Sequence, residues 1–134
     1  MRRTVLAALL LCVTACGGED GSTGPEPGEL PYVPQLVDQE PVAKDTEVGD
    51  CALEPGVQAV DGSLTNTASQ PKDFVVTLSW VDDELELRGQ GVAVVEDVAP
   101  GETARWSITA NPLEGATQCI PAVFRGELPA DAEP

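Results

Sequence analysis

Histidine is absent from the 134 residues, and basic side chains are scarce: 7 Lys and Arg stand against 23 Asp and Glu, a formal charge of -16. Without histidine the chain lacks the usual proton shuttle at neutral pH and the commonest metal ligand. It also lacks the base of any Ser-His-Asp or Cys-His nucleophile. The shortage of Lys and Arg argues against phosphate-backbone binding, so nucleic acid is not an expected partner. No apolar run approaches the roughly 20 residues that cross a bilayer as a helix. No Gly-rich phosphate loop, amphipathic helical stretch or internal repeat is present. What the chain does have is 42% hydrophobic residues, enough for one modest core.

The start of the chain is the most informative stretch. Met1-Arg2-Arg3 is positive, Val5 to Val13 is apolar throughout, and Val13-Thr14-Ala15-Cys16 follows. A run of that length fits the apolar region of a secretory signal peptide. Its ending in small residues at a cysteine resembles the lipobox of bacterial lipoproteins. That resemblance implies a diacylglyceryl group on the Cys16 thiol, cleavage after Ala15, and a new amino terminus that is often acylated as well. Residues 1–15 would then be the signal peptide, and Cys12 would leave with it. Several acyl chains on one residue suffice for stable membrane attachment. The expected location is extracytoplasmic, anchored by lipid to the cell membrane or to an outer membrane.

Residues 16–48 read as the lipidated cysteine followed by a tether. Between Gly17 and Val48 lie five prolines, five glycines and eight acidic residues. Such a density of proline opposes helix and central strand, and like charges extend the chain. Random-coil scaling gives an average span of about 30 Å and a limit of about 100 Å. Leu30, Tyr32, Val33, Leu36 and Val37 form its one apolar cluster, which could dock on the domain or serve as a recognised peptide; standing free is the expectation.

Residues 49–128 carry the fold, and 129–134 read as a disordered tail. Short β-branched and aromatic runs alternate with turn residues, the pattern of an all-β antiparallel sandwich. Val57 to Thr67 places Val60, Gly62 and Leu64 on one face. Phe74 to Val81 points Phe74, Val76, Leu78 and Trp80 inward and Thr77 and Ser79 outward. Leu85 to Val95 is loosened by Gly89 and Gly91, which suggest a bulge or a close backbone approach. Ala99-Pro100-Gly101-Glu102 fits a type II turn. Thr103 to Ala110 points Ala104, Trp106 and Ile108 inward, and Gln118 to Glu127 is the last strand. Cys51 and Cys119 are the two cysteines left after processing, and outside the cytoplasm they are expected to form a disulfide.

Gly62-Ser63-Leu64-Thr65-Asn66-Thr67, then the Phe74 strand, then an acidic turn, then Val98-Ala99-Pro100-Gly101-Glu102-Thr103-Ala104-Arg105-Trp106 resembles the FxLYD-type immunoglobulin-like domains of bacterial lipoproteins and secreted proteins. The likeness covers residues 57–110. Leu78-Ser79-Trp80-Val81-Asp82 stands where the family's Phe-x-Leu-Tyr-Asp string would fall, and the Cys-to-Trp separation differs from that of antibody domains. The resemblance therefore implies a small immunoglobulin-like sandwich and no particular activity.

No constellation of residues announces catalysis. Asp82, Asp83, Glu84 and Glu86 offer oxygen ligands for Ca²⁺ but lack D-x-D-x-D-G spacing, and a solvated turn is the plainer reading. Glu84, Glu96 and Glu102 are too scattered to define a carboxylate pair. Trp80 and Trp106 could stack on sugar but fall on the inward faces. Thr65 and Asn66 read as turn formers. No catalytic residue, metal ligand, cofactor or small-molecule substrate is expected. The leading reading is a lipid-anchored, non-catalytic interaction or accessory module of the cell envelope. The alternative is a small carboxylate-dependent hydrolase or Ca-binding protein. Losing Arg2 and Arg3 with the leader leaves 5 basic against 23 acidic residues, a charge of -18. That field suits an envelope partner with a basic surface, although acidity also serves solubility.

Overall fold

Period-two alternation is visible throughout the structure, a computed structural model describing residues 24–130. Among them seven strands follow in chain order. They are β1 (Val37–Pro41), β2 (Thr46–Val48), β3 (Gln58–Thr65), β4 (Lys72–Val81), β5 (Leu87–Val98), β6 (Thr103–Ala110) and β7 (Gln118–Glu127), with a 3₁₀ turn at Ala43–Asp45. All pairings are antiparallel, in one sheet of order β1-β7-β4-β5 and another of order β2-β3-β6. The fold is thus the expected small all-β sandwich.

The core lies between the sheets. Val60 and Leu64 of β3, Phe74, Val76, Leu78 and Trp80 of β4, and Trp106 and Ile108 of β6 form it, joined by Val98, Ala110 and Val123. Ala104, also expected inward, packs against this cluster half-buried. Each large side chain so buried contributes roughly 1.5–3 kcal/mol. A Cβ at Gly91 would stand 2.1 Å from Ile108 Cγ2 on the facing sheet, so β5 can close on β6 only without a side chain there. Close approach was one of the two readings of that glycine, and it is what the structure has. The β5 ladder also bulges between its pairs with Lys72 and Phe74, where Asp97 adopts φ 54 and its N–H donates to Asp73 Oδ1 at 2.9 Å.

The two ends of the sandwich are closed differently. At the lower end, Gly101 takes φ 78 and Glu102 N–H donates to the Ala99 carbonyl at 3.0 Å, the geometry that Pro100-Gly101 favours. Asn66, fully buried, ties this turn to the β3–β4 loop. Its Nδ2 donates to the carbonyls of Val98 and Gln70 at 2.8 and 2.9 Å, and its Oδ1 accepts from Ala68 N–H at 2.9 Å. At the upper end lie the β4–β5 turn, the β6–β7 loop and the segment around the disulfide. Cys51 and Cys119 are bonded there, 68 residues apart in sequence. Trp80 is the register partner of Cys119, and its Nε1–H donates to the Ala52 carbonyl at 2.9 Å.

Part of the tether expected over residues 16–48 is paired into the sheets. Val37–Pro41 pairs with β7, and Thr46–Val48 pairs with β3. Two features hold this exposed stretch. One is the backbone ladder. The other is Arg125 of β7, whose guanidinium meets Glu40, lies 3.7 Å from Asp45 and donates to Thr67 Oγ1 at 3.2 Å. Pro41 is tolerated because it ends an edge strand. The apolar cluster is divided: Leu36 is buried, as is neighbouring Pro34, whereas Leu30, Tyr32 and Val37 stay exposed. Leu36 lies over Gly126, on the outer face of the four-stranded sheet, where Val75 and Thr77 are also buried. Thr77 was expected on that face; its burial was not. Further up the chain, Gly28 N–H donates to the Asn111 carbonyl at 2.7 Å and Asn111 Nδ2 to the Pro25 carbonyl at 3.0 Å. Asn111 is at the upper end and Val37 pairs with Glu127 at the lower, so residues 28–37 run the long axis of the sandwich.

Two variants probe these closures. Replacing Cys51 and Cys119 together by Ala opens a 68-residue loop and should lower stability by about 4 kcal/mol in urea unfolding. Asn66→Ala leaves buried backbone groups unpaired at the lower end and should cost about 2–3 kcal/mol.

Candidate functional site

Cys16, the expected lipidation site, lies outside the described residues, as do Cys12 and residues 131–134. The remaining residues singled out from sequence are distributed as follows. Trp80 and Trp106 are buried in the core. Trp106 Nε1–H donates to Thr46 Oγ1 at 3.2 Å, and neither indole face is open to a sugar. Glu84 is in the β4–β5 turn at the upper end, whereas Glu96 and Glu102 flank the β5–β6 turn at the lower end, so the structure does not bring these three carboxylates together. Thr65 shares a hydroxyl hydrogen bond of 2.8 Å with Thr103. Among the described residues no group of three or more Asp, Glu, Cys or His is arranged to hold a metal ion, and no helix is long and apolar enough to cross a membrane.

The acidic turn is organised around one carboxylate. Asp82 Oδ1 accepts from the N–H groups of Glu84 and Glu86, both at 2.9 Å, and Oδ2 accepts from Arg88 Nη2 at 3.0 Å. The Asp82 N–H closes the loop on the Glu86 carbonyl at 3.0 Å. These bonds favour the ionised form. The Glu86 N–H is the chief cause, and with Arg88 and the Glu84 N–H it holds the Asp82 carboxyl below its ordinary 3.8 against the opposing effect of burial. An oxygen pair so engaged is a turn cap. The cap also fixes an unusual residue, for Leu85 adopts φ 63 with 65% of its surface exposed. A left-handed conformation costs a non-glycine residue about 1–2 kcal/mol, and Asn or Gly would avoid most of it. Here an exposed leucine occupies it instead.

Two surfaces remain available to a partner. The outer face of the three-stranded sheet presents Asp61, Ser63, Arg105 and Ser107 side by side, since Ser63 pairs with Arg105 and Asp61 with Ser107. An open depression of about 320 Å³ runs along it between Glu47, Gly49, Asp61 and Arg105. It is shallow and open to solvent. The other surface is the upper end, where Leu53, Val57, Leu85, Leu87 and Leu113 are all exposed. Val57 also lies against Gly24, and Leu113 against Gly28. Gly56 N–H donates to the Pro112 carbonyl at 3.3 Å and Leu113 N–H to the Arg88 carbonyl at 2.7 Å, drawing the Val57, Leu113 and Leu87 segments together. Sequence reading missed this cluster, because its members come from three loops. Comparison of the chain with family models, curated proteins and solved structures gave no match.

The Asp82 cap has a pH signature. Because its folded value is depressed, the stability it supplies is complete above the ordinary 3.8 and is lost as pH falls through the folded value. The difference in unfolding free energy between the parent chain and Asp82→Ala should therefore be constant from neutrality to about pH 5. It should shrink below about pH 4.

Proposed function

We propose that the chain is a lipid-anchored, non-catalytic interaction module of the bacterial cell envelope. The observation that carries this reading is the entry of the chain into the sandwich. Gly24, eight residues after Cys16, already lies against Val57 at the upper end, and Asn111 holds Pro25 and Gly28 just beyond. Eight residues reach at most about 28 Å, so acylated Cys16 would keep the domain beside its membrane, in contrast to the long tether expected from composition. A disulfide-stapled sandwich with polar groups committed to its own loops supports recognition by surface. The mature charge of -18 favours a partner with a basic surface.

The test is the fate of Cys16. The mature protein should partition into detergent, begin at residue 16 and carry acyl mass by intact mass spectrometry. Cys16→Ser should accumulate as precursor or be released in soluble form. Normal membrane retention of that variant would refute the anchor.

A further inference from the structure

Exposed large hydrophobic side chains are unevenly distributed over the sandwich. Among the described residues, Leu53, Val57, Leu85, Leu87 and Leu113 gather at the upper end, whereas Leu30, Tyr32, Val37 and Ile120 are scattered over the entering segment, β1 and β7, and the lower-end loops 66–71 and 96–102 expose none. The upper-end residues are interleaved with carboxylates along the chain: Leu53-Glu54, Glu84-Leu85-Glu86-Leu87 and Leu113-Glu114. Among the described residues of these segments Arg88 is the one cation, and it is already paired with Asp82 at 3.0 Å and within 3.9 Å of Glu86. From this pattern we infer that the upper end is a docking surface for a cationic amphipathic segment of another protein, one that carries Lys or Arg between apolar side chains.

Charge complementarity selects that occupant. Apolar contact alone would suit a lipid surface, but these leucines cannot enter a headgroup layer without bringing Glu54, Glu84, Glu86 and Glu114 to the same depth. Anionic lipid would repel them outright. A segment with alternating cationic and apolar side chains meets both sets at once, and its approach is accelerated by the acidic field. Leu85 sharpens the case. Its backbone conformation favours Asn or Gly, yet the position carries an apolar side chain presented to solvent. Strain retained at an exposed side chain is expected where that side chain makes contact with something else. The chain also enters the domain at this end, so an anchored molecule would present the surface to a partner close to the bilayer.

The inference deepens the reading of the chain as an interaction module, and the test separates the two. The disulfide-bonded chain from residue 16, with Cys16→Ser, is labelled with ¹⁵N and titrated with a helical leucine–lysine peptide. Parallel titrations use a leucine–glutamate peptide, oligolysine, and phosphatidylcholine vesicles with and without phosphatidylglycerol. The leucine–lysine peptide should shift the amide resonances of residues 53–57, 83–88 and 113–115 and leave Thr65 and Thr103 unmoved, with an association rate that falls as salt rises. Leu85→Asn should unfold at the same or higher urea concentration and yet bind about fivefold more weakly. Oligolysine binding as tightly, or shifts spread over every acidic face, would overturn the site in favour of diffuse charge. Vesicles shifting the same resonances would overturn it in favour of lipid, and absence of peptide binding would overturn it outright. Shifts confined to Asp61, Ser63 and Ser107 would remove this surface and leave the interaction-module reading standing. Acylation is read separately by mass, so a missing anchor cannot be mistaken for a missing docking site.

Discussion

Trp80 and the Cys51–Cys119 disulfide form one pin, and the rest of the sandwich depends on it. The indole fills the space between the sheets from the upper end of β4, with Cys119 beside it on β7 and the Ala52 carbonyl accepting its N–H. Cys51 follows directly on β2, where Gly49 N–H still reaches the Asp61 carbonyl at 2.8 Å. The bond therefore ties the edge of one sheet to the middle of the other. A domain of this size has only a small core, and a covalent closure of that kind supplies a large share of its net stability. With the upper end fixed, its loops can hold exposed leucines in place.

Strands that bury one face were legible in the sequence. Thr103–Ala110 and Gln118–Glu127 have the expected bounds, and Phe74, Val76, Leu78 and Trp80 all point inward. Pro100-Gly101 declared its turn, and the disulfide followed from counting cysteines. What stayed hidden shares a cause. Val37–Pro41 is exposed along its whole length and shows no alternation; it is a strand because β7 offers a ladder and Arg125, 85 residues from Glu40, offers a charge. Acidic residues and proline read as tether and serve equally well to protect an edge strand from other chains. Neither partner can be recognised from the segment itself.

The upper end was hidden for a related reason. Leu85 looks like the first residue of a strand, and only the bonds to Asp82 show that it sits on a turn at positive φ. Exposure of Leu53, Val57 and Leu113 is decided by how three loops meet, a property of tertiary placement. The outer face of the four-stranded sheet gave the opposite surprise. Thr77 was expected outward and is so oriented, yet it is buried, on the same face over which Leu36 lies.

The order in which the chain is secured also determines its response to force. Tension applied at the amino terminus first meets the paired contacts of Pro25 and Gly28 with Asn111, then the short ladder of β1, then Arg125, then the three residue pairs of β2. These fail in succession, and each is weak by itself. Unravelling must stop at Cys51, because the disulfide transmits the load to β7 in the middle of a sheet. The stretch from Gly24 to Cys51 can thus pay out about 90 Å of chain while β3 to β7 remain folded. The segment is a reserve of length stored flat against the domain, with a covalent stop at its end.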